Sequence, residues 1–210
     1  MKKTLVLTVM FVLPIVVYLF FASGVNTFGK LPILTEQIDE SLLLEEDVAF
    51  TDNITILGFL GDDIANKKGN AFNLNQKIYK RFHEFKDFQF VMVVPEGNSE
   101  AVALLKSELA NLADIGKWKF IYLSPVAIQS LFNTLKTDTK LGKDLASPYV
   151  FIIDKDRNLR GRTEDKDVGT KYGFNTNSVA DLNNKMVDDV KIILAEYRLA
   201  LKENNVKRSK

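Results

Sequence analysis

The arrangement of apolar and polar positions separates an uncharged start of the chain from a regularly patterned remainder. Residues 4–22 carry no charged side chain, and the basic pair Lys2 and Lys3 precedes them. A helix of this length spans about 28 Å, close to the thickness of the hydrocarbon core of a bilayer. The pattern therefore predicts one transmembrane helix, with residues 1–23 as an N-terminal anchor. Because basic residues favour the cytoplasmic side, we expect the N-terminus in the cytoplasm and the rest of the chain in the periplasm or outside the cell.

A cleaved signal peptide is the alternative interpretation of this segment. Ala22, Ser23 and Gly24 are small residues of the kind found at a cleavage site. The apolar run is longer than the roughly 7 to 15 residues of a usual signal-peptide core, which favours a retained anchor. Lipidation at the junction is excluded because it requires a cysteine, and the chain has none.

Short apolar runs farther along the chain predict buried strands. They are rich in β-branched and aromatic residues and are bounded by turn-forming residues or by proline. The runs cover residues 54–60, 88–94, 117–123, 149–154 and 158–162, and a short polar turn joins the last two as a β-hairpin. We expect one sheet, with its centre formed by Ile56, Val91, Val93, Phe151 and Ile153.

Apolar stripes at helical spacing lie between and after these runs. The stripes are Leu74, Ile78, Phe82 and Phe85; Val102, Leu105, Leu109 and Leu112; Ile128, Leu131, Phe132 and Leu135; and Val179, Leu182, Met186, Val190, Ile193, Leu194, Tyr197 and Leu201. Capping patterns precede the last three stripes, at Asn98 and Ser99, at Ser124 and Pro125, and at Ser178 and Asp181. The order β-α-β-α-β-α-β-β-α predicts an α/β domain over residues 48–204. Residues 24–47 are predicted to be a juxtamembrane tether, and residues 205–210 a basic tail.

Composition excludes two broad classes of function. The chain has 210 residues, of which 28 are basic and 27 acidic, so it offers no strongly basic surface for a nucleic-acid partner. It contains no cysteine. Disulfides, thiolate nucleophiles and zinc–thiolate sites are therefore all excluded, and with them any thiol redox chemistry.

The element order, with Pro148 directly before the strand YVFIID, resembles the layout of the thioredoxin-like superfamily. Two segments point to one family within this superfamily. They are GKWKFIYLS at 116–124, with its tryptophan, and FIIDKDRNLRGR at 151–162, with its aspartate, turn, arginine and glycine. Together with the N-terminal anchor and the terminal helix, they resemble the Sco/SenC family of membrane-anchored copper chaperones that assist cytochrome oxidase assembly. The resemblance implies a thioredoxin-like sheet and a protein partner in envelope or oxidase assembly.

The resemblance also implies where an active centre would lie, and there the chain departs from the family. Family members carry a C-x-x-x-C after the first core strand and a distal histidine near the later hairpin. The corresponding stretches here are GDDIANKKGN at 61–70 and LGKDLAS at 141–147, without thiol or imidazole. We interpret Gly61, Asp62, Asp63 and Pro148 as a degenerate active-site region, and we expect no copper site and no cofactor. Inherited loop geometry implies a cis peptide bond between Ser147 and Pro148.

Asp62 and Asp63 are the candidates for metal binding. Two carboxylates in this loop can hold a hard cation or bind a basic partner. The alternative is a solvated loop in which an aspartate caps the next helix. His83 is the only histidine, within RFHEF, and a lone histidine is more typical of a helix surface or a partly buried position than of a metal site.

Two further patterns have a functional and a structural interpretation. Asp154, Asp156 and Asn158 match the opening of a calcium loop, but the flanking segments are predicted strands, which favours a turn. Arg160 and Arg162 point to the same face of a strand and can bind an anion, whereas pairing with acidic side chains is the structural alternative.

No catalytic constellation is recognisable in the sequence. The G-x-S-x-G, P-loop and dinucleotide-binding patterns are all missing from it. The sequence therefore predicts a non-catalytic, membrane-anchored, extracytoplasmic protein with a binding or assembly role. The alternative hypothesis is a carboxylate-based metal-binding protein or enzyme that uses the loop at 61–63.

Overall fold

The computed structural model describes residues 2–22, 29–44 and 48–208. The first element is helix α1 (Lys2–Ala22), which contains Pro14. Within the described ranges, no helix combines the length and the apolar character that crossing a membrane requires. The transmembrane segment over residues 4–22 thus stays a prediction.

A mixed sheet forms the centre of the fold. The strands, in chain order, are β1 (Ile33–Thr35), β2 (Ile54–Phe59), β3 (Phe88–Pro95), β4 (Trp118–Leu123), β5 (Tyr149–Ile153), β6 (Leu159–Arg160), β7 (Arg162–Asp165), β8 (Gly169–Lys171) and β9 (Phe174–Asn175). Of these, β7 and β8 form a separate two-stranded sheet. The order across the sheet is β1-β6-β5-β2-β3-β4, and β9 pairs with β5. Strands β2, β3 and β4 run parallel, whereas β5 is antiparallel to β2 and β6 is antiparallel to β5. The residues of β2 and β3 are all buried, as their continuous apolar runs predict.

Helices cover both faces of the sheet. The remaining helical elements are α2 (Ser41–Leu44), α3 (Ile64–Leu74), a π-helical turn (Asn75–Tyr79), α4 (Lys80–Phe82), α5 (Ser99–Ala110), α6 (Pro125–Thr134), α7 (Val179–Asp181), a second π-helical turn (Leu182–Met186) and α8 (Val187–Arg208). Side chains of α3, α5 and α8 pack with Ile56 and Phe90 on one face. Those of α2 and α6 pack with Leu57 and Val91 on the other. Alternating residues of each strand therefore enter two separate cores.

The predicted order of strands and helices is confirmed as a mixed α/β fold around a central sheet. The residues expected at its centre, Ile56, Val91, Val93, Phe151 and Ile153, are all buried. The Ser124 side chain caps α6 by accepting a hydrogen bond from the Ala127 backbone N–H at 3.3 Å. Ser178 likewise caps α7, accepting from the Asp181 backbone N–H at 3.1 Å.

One predicted strand is shorter than expected. The run at 158–162 leaves the central sheet after Arg160, and Arg162 begins a separate two-stranded sheet made of β7 and β8. The predicted strand is interrupted at Gly161, whose backbone is closely enclosed. A Cβ there would lie 2.5 Å from Leu34 Cδ1 and even closer to the Lys171 carbonyl oxygen. Its N–H donates to the Pro32 carbonyl at 3.1 Å.

Three positions assigned to apolar stripes are instead exposed. Helix α4 ends at Phe82, so Phe85 lies beyond it. The π-helical turn before α4 also adds a residue to the helix and so shifts the spacing of the stripe. Leu112 lies beyond the end of α5, and Val179 is the first residue of α7. Strand β1, within the segment interpreted as a tether, was not indicated by the sequence at all; it pairs with β6.

Candidate functional site

The loop after β2 is closed against the loop before β5. Gly61 has φ = +71°, and a Cβ at this position would lie 2.5 Å from the Asp144 carbonyl oxygen and 2.7 Å from Ala146 Cβ. The Asp62 N–H donates to that same Asp144 carbonyl at 3.1 Å. On either side, Leu60 forms a β-bridge with Ala146, and the Ser147 N–H donates to the Phe59 carbonyl at 3.0 Å. Only glycine permits this approach of two backbones.

An ion pair spans the same two loops. Lys67, near the start of α3, donates from Nζ to Asp144 Oδ2. Asp144 Oδ1 also accepts a longer hydrogen bond of 3.4 Å from the Ala146 backbone N–H. Gly142 leaves room for this carboxylate, since a Cβ there would lie 2.5 Å from Asp144 Oδ1. The pair thus links the two segments in which the resemblance implies cysteines and a distal histidine in other proteins.

The two candidate metal ligands, Asp62 and Asp63, are both exposed. Asp63 occupies the N-cap position of α3 but makes no side-chain cap bond. Its carboxylate instead accepts hydrogen bonds from Asn66 Nδ2 at 2.9 and 3.2 Å. Among the described residues, no group of three or more His, Cys, Asp or Glu side chains is placed to hold a metal ion. The two carboxylates lie in a solvated loop, and metal binding by them stays a hypothesis.

The prediction of a cis peptide bond before Pro148 is wrong. The described part of the chain contains no cis peptide bond, so Ser147–Pro148 is trans. Hydrogen bonds on both sides hold the extended chain here: the Ser147 N–H reaches Phe59, and the Pro148 carbonyl accepts from Thr176 N and Thr176 Oγ1, each at 2.8 Å. Pro148 therefore follows directly after the segment that contacts Gly61 and Asp62, and its peptide bond is trans.

A cavity of about 380 Å³ opens beside this closed pair of loops. Pro148, Lys67 and Asp144 line it, and its floor reaches into the apolar core between the sheet and α3. The two loops thus contact each other through their backbones, and a cavity lies beside them.

The aspartates at 154 and 156 form a hairpin turn. Asp154 Oδ1 accepts hydrogen bonds from the Asp156 N–H at 2.9 Å and from the Asn158 N–H at 2.8 Å. Its second oxygen accepts from Arg160 Nη1 at 2.9 Å. The carboxylate is therefore committed to the turn, which confirms the structural interpretation of this motif.

Both candidate anion-binding arginines pair with acidic side chains. Arg160 is buried and donates to Asp154 and, at 2.7 Å, to Glu196 of α8. Burial alone would lower the pKa of Arg160, but its hydrogen bonds and charge interactions with these carboxylates outweigh it and raise the pKa. Arg162 donates through Nη2 to Asp189 at 2.8 Å. Arg160 thus joins α8 to the central sheet, and Arg162 joins α8 to the two-stranded sheet of β7 and β8, so the pairing interpretation is confirmed.

His83 lies outside the region formed by the two closed loops. Its ring stacks on Tyr79 at a centroid distance of 5.2 Å, and its Nδ1 lies 3.2 Å from the Tyr79 carbonyl oxygen. The side chain is half-buried at the end of α4, as expected for a histidine that supports packing.

Comparisons with known proteins show a likeness in structure only. No family model matches the sequence. No curated protein matches it either. Solved structures similar to this chain include thioredoxin-like proteins, and their low sequence identity limits the likeness to the fold.

Three of these structures illustrate how similar they are to this chain in sequence and in fold. ScoI from Arabidopsis thaliana with copper bound is 18% identical, covers 68% of this chain and 86% of its own, and has a TM-score of 0.42. The thioredoxin domain of a thiol-disulfide oxidoreductase from Bacteroides vulgatus is 15% identical, with coverage of 79% and 98% and a TM-score of 0.40. A thiol:disulfide interchange protein from Bacteroides sp. is 13% identical, with coverage of 68% and 76% and a TM-score of 0.43.

Sequence reasoning missed two features of this region. The Lys67–Asp144 pair joins residues far apart in the chain, and no local pattern marks such a pair. Gly58, which lines the cavity, interrupts the otherwise apolar run at 54–60. A glycine inside a buried strand is a signal of close approach or of open space, and it is the one clue that the sequence offered.

Proposed function

We propose that this chain is a membrane-anchored, cysteine-free protein with a thioredoxin-like fold that acts as a binding or assembly factor and not as a catalyst. The observation that carries the proposal is the closure of the degenerate active-site region. Gly61 contacts the backbone of Asp144 and Ala146, and Lys67 binds the Asp144 carboxylate. Thiol chemistry is excluded by composition, because the chain has no cysteine.

What remains in this region is a surface suited to contact. Asp62 and Asp63 are exposed beside a rigidly joined pair of loops. A rigid support with solvated charges favours recognition of another protein through complementary charge. The partner class suggested by the resemblance to Sco/SenC proteins is the machinery of envelope or oxidase assembly.

A pull-down from native membranes tests the binding role. The full-length chain is crosslinked in its membranes, alongside a variant with Asp62→Lys and Asp63→Lys and a control variant with Lys86→Glu. Lys86 is exposed and precedes the start of β3, whereas Asp62 follows the end of β2, so the two lie at opposite ends of these parallel strands. We expect a discrete partner with the unmodified chain and the control, and its loss with the double variant. Equal recovery from all three chains would contradict a role for this surface.

The membrane anchor and the extracytoplasmic location rest on the sequence of residues 4–22 and on the basic pair before them. A reporter enzyme that is active only outside the cytoplasm, fused after Lys210, tests the location. We expect activity, and we expect the N-terminal sequence of the mature protein to begin before residue 22. A mature chain that begins near Val25 would show that the segment is a cleaved signal peptide.

Carboxylate-based metal binding by the loop at 61–63 is the second candidate function. Asp62 and Asp63 are exposed and adjacent, which is the observation that keeps it open. Titration of the full-length chain with Ca²⁺ and Mn²⁺ distinguishes metal binding from the binding-factor proposal. Stoichiometric binding that Asp62→Ala and Asp63→Ala abolish would replace the binding-factor proposal.

A further inference from the structure

One edge of the central sheet is a long and regular strand. β4 (Trp118–Leu123) ends the order β1-β6-β5-β2-β3-β4, and its six residues pair with β3 without a shift in register. The other edge differs, because β1 has three residues and its register with β6 shifts. Natural sheets protect their edges with short strands, bulges or proline, and β4 has none of these. β4 is therefore the edge that can accept another strand.

Two residues of β4 direct their backbone groups away from the sheet. The Phe90 N–H of β3 donates to the Lys117 carbonyl at 2.9 Å, so Lys117 faces β3. Successive residues of a strand alternate in direction, and Phe120 and Tyr122 therefore face outward. The backbone N–H and C=O groups of these two residues form no hydrogen bond within the described part of the chain. Four strong hydrogen-bonding groups are thus available at the middle of this edge.

The edge is self-complementary in one antiparallel register. When Phe120 lies opposite Tyr122 of a second copy, each such pair exchanges two hydrogen bonds, and all four outward groups of each chain are satisfied. A shift of two residues places Phe120 or Tyr122 opposite itself and leaves the other opposite Trp118 or Ser124. The Trp118 N–H already donates to the Ile115 carbonyl at 2.9 Å, and Ser124 caps α6. The unshifted register therefore makes the most hydrogen bonds.

The side chains fit the same register. Phe120 and Tyr122 are half-buried on the face of the sheet that α5 covers, so each lies beside the other aromatic ring across the two strands. Lys119 lies opposite Leu123 and not opposite itself, so no like charges meet. The net charge of the chain is only +1, which leaves little repulsion between two copies.

We propose that this chain forms a symmetric dimer in which β4 pairs antiparallel with β4 of a second copy. The central sheet then continues across a twofold axis that passes beside Ile121. This interface goes beyond the proposed function, because it requires no other protein. It is also separate from Asp62 and Asp63, which follow β2, two strands away from this edge.

A proline at position 122 tests the backbone pairing. Tyr122→Pro removes an N–H that the single chain does not use, and proline is tolerated in an edge strand at such a position. Tyr122→Ala removes the same side chain but keeps the N–H. Sedimentation equilibrium of the full-length chains in detergent measures dimerisation, and the fluorescence of Trp118 in urea checks that each chain is folded.

We expect the unmodified chain to be a dimer and Tyr122→Pro to dimerise about a hundredfold more weakly than Tyr122→Ala. The reason is that two symmetry-related hydrogen bonds are lost, each worth about tenfold in the dimerisation constant. Equal dimerisation of the two folded variants would overturn the proposal, and so would an unmodified chain that is monomeric.

Disulfide crosslinking in native membranes tests the register independently of the proline. Because the chain has no cysteine, each introduced thiol is the only one in its chain. A chain with Phe120→Cys is co-expressed with a differently tagged chain with Tyr122→Cys, and the membranes are oxidised. The control pairs Tyr122→Cys with Leu104→Cys, at an exposed position of α5. We expect a mixed disulfide from the first pair and none from the control. Equal yields from the two pairs would contradict the dimer.

Discussion

Replacing Gly61 with alanine tests how firmly the two loops are joined. An alanine at φ = +71° costs about 1–2 kcal/mol in backbone strain. The new Cβ would also lie 2.5 Å from the Asp144 carbonyl oxygen, and the backbone cannot yield as a flexible side chain does. Such overpacking costs about 1–3 kcal/mol more. We therefore expect Gly61→Ala to lower the free energy of unfolding by about 2–5 kcal/mol in total.

Gly97 provides a matched control for this measurement. Its φ is +89°, but a Cβ there would meet nothing within 4 Å. Gly97→Ala should therefore cost only the strain, about 1–2 kcal/mol. Urea unfolding followed by the fluorescence of Trp118, the single and buried tryptophan, measures both variants. Equal losses at the two positions would refute the reasoning, because they would show that the loops separate at no cost.

Three further predictions concern polar groups inside the fold. Asn75 is fully buried, and its side-chain N and O have no hydrogen-bond partner among the described residues. Asn75→Leu should therefore raise the free energy of unfolding, measured by urea titration, by about 1–2 kcal/mol. A lower free energy of unfolding would disprove this. The coupling between Lys67 and Asp144, a partly exposed pair, should be about 0.5–1 kcal/mol in a double-mutant cycle, and zero coupling would argue against it. Burial alone would raise the pKa of Glu40, but hydrogen bonds from Thr51 and Phe50 outweigh it and lower the pKa below 4.5. The stabilisation by ionised Glu40 is therefore complete above about pH 4.5 and is lost as the pH falls further. In Glu40→Gln, the free energy of unfolding should fall less steeply between pH 6 and pH 3 than in the unmodified chain. An unchanged dependence on pH would count against this.

Most of the sheet was predictable because its signals are local. Continuous apolar runs mark β2, β3 and β5, and each is buried on both faces as such runs predict. Helix α6 was equally clear, since Ser124 and Pro125 mark its start and its apolar stripe is buried. These elements are determined by the residues within them.

The errors arise where distant parts of the chain meet. β1 is short, and its pairing with β6 depends on residues more than a hundred positions away. The strand beginning at 158 stops at Gly161 because the Lys171 carbonyl and Leu34 enclose that glycine, which only the tertiary structure shows. A π-helical turn ends the apolar stripe before Phe85, and helical spacing cannot reveal an added residue.

The sequence predicted that two particular loops lie next to each other, but not how they contact each other. Element order and Pro148 placed the loop at 61–63 beside the start of β5, and the structure brings them together. The trans peptide bond, the Lys67–Asp144 pair and the cavity all depend on contacts between the two loops and α3. No spacing within either loop encodes them.

Site-directed photocrosslinking in native membranes tests the central claim, that the closed region is a binding surface, most directly. A photoreactive phenylalanine derivative replaces Asp62 in one chain and Lys86, at the opposite end of the parallel strands β2 and β3, in another. The account predicts a discrete protein adduct from position 62 and none from position 86. An adduct from position 86 alone, or from neither position, would contradict it.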